Sequence, residues 1–228
     1  MHARDIMTPD VVTVDPETDL ASIAKILIRH RISAVIVADE HDHVLGIVSE
    51  SDLMRSAKRD PGRGWWLSLV ADRGAKFVHR EGVRAKDIMT QDVICTTKDA
   101  SLSEIARLLE SNHVKRVPVL EGGQIAGVVS RADVLQGLAA LRGREEEPTI
   151  EDLNIRMGIV ELVKRRGGVS MQSVNVVVLS AEVFLWGIVE DDEDRVAVGD
   201  AAEALVGSGK VHNFLSTLPE VARGLRKI

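Results

Sequence analysis

Aromatic side chains are scarce in this chain: three tryptophans, three phenylalanines and no tyrosine among 228 residues. A core must therefore be built from Val, Ile, Leu and Ala. There is one cysteine, Cys95, so no intrachain disulfide can form, and a reducing compartment is the expected setting. No apolar run approaches the ~18 residues that cross a bilayer. No apolar h-region follows Met1-His2-Ala3-Arg4, so a signal peptide is not expected either. The expected location is cytoplasmic. Base does not outweigh acid: 29 Lys and Arg against 35 Asp and Glu leave a net charge of −6, which argues against non-specific nucleic-acid binding. Nucleophile elbows, P-loops and metalloprotease signatures are missing. An enzyme is not expected.

What the chain does have is one passage written twice. Arg4-Asp5-Ile6-Met7-Thr8 returns as Lys86-Asp87-Ile88-Met89-Thr90, and Gly46-Ile47-Val48-Ser49-Glu50-Ser51-Asp52 returns as Gly127-Val128-Val129-Ser130-Arg131-Ala132-Asp133. The step from Arg4 to Lys86 is 82 and from Gly46 to Gly127 is 81, so the copies align with one residue deleted in the second. Repeated units usually stack to close a core that neither closes alone. Two such copies would leave clefts around a pseudo-two-fold axis.

Each copy reads β-α-β-β-α. A short β-rich run (Val11–Val14; Val93–Thr96) precedes a helix with apolar spacing, Leu20, Ile23, Ala24 and Leu27 or Leu102, Ile105, Ala106 and Leu109, opened by an Asp or a Ser. An unalternating apolar strand follows (Ala34–Ala38; Val117–Leu120), which implies burial on both faces. A turn leads to a second strand (Val44–Val48; Ile125–Val129), and Ser49 or Ser130 opens a closing helix. The expected divisions are 1–58 for the first copy, 59–85 for a connecting segment, 86–138 for the second copy, 139–148 for a polar linker, 149–216 for a third domain and 217–228 for a tail. Within the connecting segment, Trp65-Trp66 and Phe77-Val78 suggest an amphipathic helix packed on the repeats; a membrane wedge would need a denser basic face. The third domain reads α-β-β-α-β, with Thr149-Ile150-Glu151-Asp152 as a capping box and Gly167-Gly168 as a helix stop. Gly187 inside its second strand signals close backbone approach or a bulge.

The closing motif carries two readings. Gly46 and Gly127 lack a Cβ, so a ligand or another backbone can approach there. Ser49 and Ser130 stand at helix starts, where free N–H groups and the dipole suit a phosphate. Asp52 and Asp133 lie one turn in, and an ionised carboxylate can accept from both hydroxyls of a ribose. Equally, Ser-x-x-Asp is a capping-box N-terminus in its own right. One motif can serve both ends.

Taken in order and twice over, the Asp-Ile-Met-Thr openings, the strand Arg116-Val117-Pro118-Val119 and the Gly-Ser-Asp closings resemble a tandem pair of CBS domains, the Bateman module, over residues 1 to 138. Leu185-Trp186-Gly187-Ile188-Val189 and Val211-His212-Asn213-Phe214-Leu215 resemble a BON domain over 149 to 216. The fold class implied is α/β (α+β): two stacked β-α-β-β-α repeats plus a small α-β-β-α-β domain. The resemblance implies a non-catalytic sensor that binds AMP, ADP, ATP, NAD or S-adenosylmethionine in clefts between the repeats, with no metal. It implies that Asp52 and Asp133 hold ribose and that Ser49 and Ser130 help hold phosphate beside Gly46 and Gly127. Adenine would lie near Thr13, Val14, Val35 and Val37, and near Cys95, Thr96, Val117 and Val119. Arg116 and Arg131 make the second copy the more basic of the two, since Glu50 stands where Arg131 stands, so the two sites are expected to be unequal. A homodimer is implied for the CBS pair. The alternative is a membrane-associated or scaffold protein that binds phospholipid or a protein partner through the BON-like domain, and no nucleic-acid partner is expected.

Overall fold

The computed structural model describes residues 1–58, 83–143, 146–166 and 168–219. The expected helix around Trp65-Trp66 and Phe77-Val78, the Gly167 stop and the tail from Glu220 onward lie outside these residues.

The repeated passage produces repeated elements. In the first copy these are α1 (Ala3–Ile6), β1 (Thr13–Val14), α2 (Leu20–His30), β2 (Ala34–Ala38), β3 (Val44–Ser49) and α3 (Glu50–Lys58). In the second they are α4 (Ala85–Ile88), β4 (Thr96–Thr97), α5 (Leu102–Ser111), β5 (Arg116–Glu121), β6 (Gln124–Ser130) and α6 (Arg131–Leu141). The third domain follows as α7 (Ile150–Arg166), β7 (Val174–Leu179), β8 (Glu182–Val189), α8 (Asp192–Val206) and β9 (Val211–Thr217). The long helices start where the capping residues stand. Asp19 Oδ1 accepts from Ser22 N at 2.9 Å, and Ser101 forms a capping box in which its N–H donates to Glu104 Oε2 at 2.8 Å. Each such cap is worth about 1 kcal/mol. Arg31 and His113, corresponding residues just past α2 and α5, both adopt left-handed φ values of 54°. That is the C-terminal helix signal, and it makes His113 a helix-end residue.

Among the described residues three three-stranded sheets form, ordered β1-β2-β3, β4-β5-β6 and β7-β8-β9. In the first, β1 runs parallel to β2 across the α2 crossover and β2 pairs antiparallel with β3. In the third, β7 and β8 form an antiparallel hairpin and β9 returns parallel to β8 through α8. Gly187 is the one position in β8 where a side chain could not fit. Its φ is 133°, and a Cβ there would lie 2.0 Å from Ser173 O, so the expected close approach is to the backbone just before β7.

The described residues divide into two compact units, and the division cuts across the repeat. One unit holds residues 1–11, 94–122 and 126–219, and the other holds the described part of 12–93 with 123–125. The opening segment of each copy thus joins the body of the other. Ala3 N donates to Ala100 O at 2.8 Å, and Thr8 and Val128 exchange both backbone hydrogen bonds at 2.9 and 3.0 Å. In the other unit Ala85 N donates to Thr18 O at 2.8 Å, and Thr90 and Ile47 exchange two bonds at 3.0 Å.

Each unit has its own aliphatic core. In the smaller, Val14, Ile23, Leu27, Val35, Val37, Val48 and Leu53 pack together with Ala85. In the larger, the third domain packs both faces of its sheet, one of them only in part. Val176, Val178, Val183 and Leu185 pack with Ile159, Val163 and Val198 of α7 and α8. On the opposite face Val177, Leu179 and Phe184 share a core with Met1, Ile6, Val134 and Ala140. The third domain is therefore seated on the second copy through α1 and α6.

Candidate functional site

The Asp of the Ser-x-x-Asp motif accepts from its Ser in both copies, and in the second the two close a capping box. At α3, Asp52 Oδ2 accepts from Ser49 N at 2.8 Å and from Ser49 Oγ at 2.6 Å. At α6, Asp133 Oδ2 accepts from Ser130 N and Ser130 Oγ, both at 2.7 Å. Both carboxylates are buried, Asp52 at 6% and Asp133 at 9% exposure. In each, one oxygen is spent on the cap and the other is directed away from it. The two copies differ in what meets that second oxygen. Arg55 Nη2 donates to Asp52 Oδ1, whereas Asn175 Nδ2, from β7, donates to Asp133 Oδ1 at 2.9 Å.

Beside Asp52 lies a pocket of about 420 Å³, lined by Asp52, Arg55 and Ser56 of α3, Val83, and the opening segment Asp87, Ile88, Met89 and Thr90. The pocket thus joins the closing motif of the first copy to the opening motif of the second. It offers two carboxylates, a guanidinium, two hydroxyls and an apolar wall, the mixture that suits a small polar ligand with an apolar ring. The repeated opening motif had no chemical role in the sequence reading. Its signal was its own repetition, which the length of the four-residue helices α1 and α4 could not supply.

The glycines of the motif serve these opening segments. A Cβ on Gly46 would lie 2.5 Å from Met89 Sδ, and one on Gly127 would lie 2.6 Å from Met7 Sδ. The space each glycine leaves open is taken by a methionine thioether.

Electrostatics separate the second copy further. Burial pushes the Asp133 carboxyl above its ordinary range, opposed by the Ser130 hydrogen bonds and by Arg116 and Arg156. Burial likewise lowers Arg156 to about 10, while Asp5 and Asp133 work to hold its charge. Arg156, on α7, donates from Nε to Val176 O at 2.7 Å and from Nη2 to Met7 O. Arg131 is committed to the end of α5, donating to Val114 O at 3.1 Å and Leu109 O at 3.3 Å. Arg116 contributes its charge near Asp133.

The expected adenine-wall residues fall into two groups. Val14, Val35 and Val37 belong to the core of the smaller unit, and Val117 and Val119 to that of the larger, with Val35, Val37, Val117 and Val119 exposed by 1% or less. Thr96 is buried and pairs with Val119; Thr13 is exposed and pairs with Ile36, which pairs in turn with Ile47. Thr13, Ile36 and Ile47 thus share the strand face opposite Val35 and Val37. Burial raises the Cys95 thiol above its ordinary value. His41 and His43 sit in a turn whose N–H groups both donate to Asp39 Oδ1 at 2.9 Å. Among the described residues no helix is long and apolar enough to cross a membrane.

Family models match residues 3–59 and 85–140 as CBS domains and residues 151–219 as a BON domain. An uncharacterised protein of Methanocaldococcus jannaschii is 29% identical over 138 residues, which cover 60% of this chain and 32% of that protein. Inosine-5'-monophosphate dehydrogenase of the same organism is 24% identical over 135 residues, 59% of this chain and 23% of that enzyme. The chain thus spans about a third or less of the length of these two relatives. A solved CBS domain pair in complex with 5'-methylthioadenosine and S-adenosyl-L-methionine is similar at 21% identity and a TM-score of 0.49, covering 61% of this chain and 97% of that one. By the two matched CBS segments and the BON segment behind them, this chain is a tandem CBS-domain pair followed by a BON domain.

Proposed function

We propose that the chain is a non-catalytic sensor of an adenine nucleotide or related adenosyl compound, with residues 1–138 as the sensing pair and 149–216 as the output domain. The carrying observation is the pocket of about 420 Å³ beside Asp52, at the N-terminus of α3. Asp52 would take the ribose hydroxyls, in exchange for Arg55. Ser49 and the positive dipole end at the start of α3 would face phosphate. Thr90 and the apolar segment Ile88-Met89 would line the rest. Asp133, Ser130 and Gly127 form the corresponding seat of the second copy. Titration calorimetry of the purified chain with AMP, ADP, ATP, NAD and S-adenosylmethionine tests this. At least one should bind, and Asp52→Ala should weaken that binding about tenfold or more, the loss of a charged hydrogen-bond acceptor. Binding by none of the five, in protein freed of co-purified ligand, rejects the reading.

A second reading concerns the BON sheet. Trp186 stacks on Phe214 with ring centroids 5.6 Å apart, and Phe214 and Ile188 on the same face are 50% and 48% exposed. An exposed apolar strip of this kind suits a phospholipid surface or a protein partner. If it is a lipid surface, the full chain co-sediments with phosphatidylglycerol vesicles and Phe214→Ser releases it. Co-sedimentation equal for both proteins, or absent from both, removes the lipid reading.

A further inference from the structure

Both copies set the aspartate of the closing motif beside an opening segment, and in the second copy another part of the chain meets that aspartate. Around Asp52 the seat is an open pocket. Its counterpart in the larger unit lies between Asp133 and Gln136 of α6 and the opening segment that ends at Met7 and Thr8. There the BON domain is seated. Asn175 Nδ2 donates to Asp133 Oδ1 at 2.9 Å and to Gln136 Oε1 at 2.8 Å. Arg156 donates to Met7 O just beside them.

The amide of Asn175 presents to Asp133 the kind of donor a ribose hydroxyl would present. Asp133 Oδ2 is already spent on Ser130 and Oδ1 on Asn175, so hydroxyls reach this carboxylate only when Asn175 withdraws. Both neighbours of the amide nitrogen are acceptors, which fixes the amide's orientation. Its Oδ1 is then a buried polar atom with no hydrogen-bond partner, in a side chain 7% exposed. A docked state with an unsatisfied acceptor is cheaper to leave than a fully bonded one.

We propose that Asn175 occupies the ribose seat of the second copy, so that an adenosyl ligand and the BON domain compete for Asp133. Ligand at the first copy leaves the BON domain seated. Ligand at the second copy displaces Asn175 and loosens the BON domain, because only a state with differential affinity for the ligand is favoured by it. This rests on the proposed nucleotide binding and adds which copy is gated, and by which residue.

The test uses the full chain and calorimetry with AMP and S-adenosylmethionine in turn, in an Asp52→Ala background that removes the first seat. Asn175→Ala added to it should strengthen the residual binding about tenfold, the worth of one hydrogen bond to a charged group. Asp133→Ala added to that should abolish the gain. A merely structural role for Asn175 would lower affinity or leave it unchanged, and either result overturns the proposal. Should Asn175→Ala fail to fold by circular dichroism, Gln136→Ala, which removes the other acceptor holding the same amide, takes its place with the same expectation. If the parent chain binds a ligand and Asp52→Ala abolishes it, yet neither variant restores a site, competition at Asp133 is wrong while the sensor reading stands. If the parent chain binds nothing, both fall.

Discussion

Two buried aspartates show how the same side chain in the same local motif acquires opposite acidities. Asp133 and Asp152 both cap a helix, from Ser130 and from Thr149. For Asp133 burial dominates and raises its pKa. For Asp152 burial also works upward, but donors from Thr149 N–H and Oγ, Ala181 N and Ser180 N together outweigh it, so it lies below the ordinary 3.8. The sign follows from proton linkage. Asp152, lowered in the folded chain, contributes stability above pH 3.8 that is lost as pH falls through its folded value. Asp133, raised, contributes in the opposite sense, favouring the fold below its unfolded value and losing that contribution as pH rises. Asp152→Asn should therefore cost about 1–3 kcal/mol at pH 7, with the gap to the parent chain narrowing as pH falls below 3.8. Urea melts across that range measure it, and a gap independent of pH would remove the carboxylate's charge from the explanation. The Thr149-x-x-Asp152 box was legible in the sequence; the donors from Ser180 and Ala181 were not, because they arrive from 28 and 29 residues away.

At the scale of the element, legibility tracked periodicity. The amphipathic helices α2 and α5 could be read from apolar spacing that extends over several turns, and the strands β2, β7 and β8 from apolar runs bounded by turn residues. The face assignment of β2 and β5 could not. Strands apolar at nearly every position carry no alternation from which to choose a face. The register decides it: Val35 pairs with Val48 and Val37 with Gly46 on the side covered by α2 and Met89, and Thr13, Ile36 and Ile47 take the other side. Helices α1 and α4 were missed because four residues are too short to show a helical period.

At the scale of the whole chain, the exchange of opening segments ties the two copies of the repeat together. Met7 fills the space on Gly127 and Met89 the space on Gly46, so each copy's closing motif depends on a methionine from the other. Met7, 7% exposed, contributes to the core of the unit that holds the second copy. Met7→Ala should destabilise that unit by about 2–5 kcal/mol through the cavity it leaves. Hydrogen exchange should then quicken in residues 94–141 and stay near its parent rate in 12–56, with Met89→Ala giving the reverse. Loss of protection in the copy that carries the substitution in sequence would mean the segments are not exchanged.

The sequence by itself determined the repeat, the order of its longer elements, the CBS and BON character and the two Ser-x-x-Asp motifs, because all of these are local patterns written into spacing and residue type. Only the tertiary structure decided which opening segment meets which closing motif, which strand face is sealed, and that Asn175 rather than solvent meets Asp133. Those are contacts between residues far apart in the chain. Hydrophobic patterning says that a surface will be covered and leaves open by what; shape and hydrogen-bond complementarity between folded elements choose the partner.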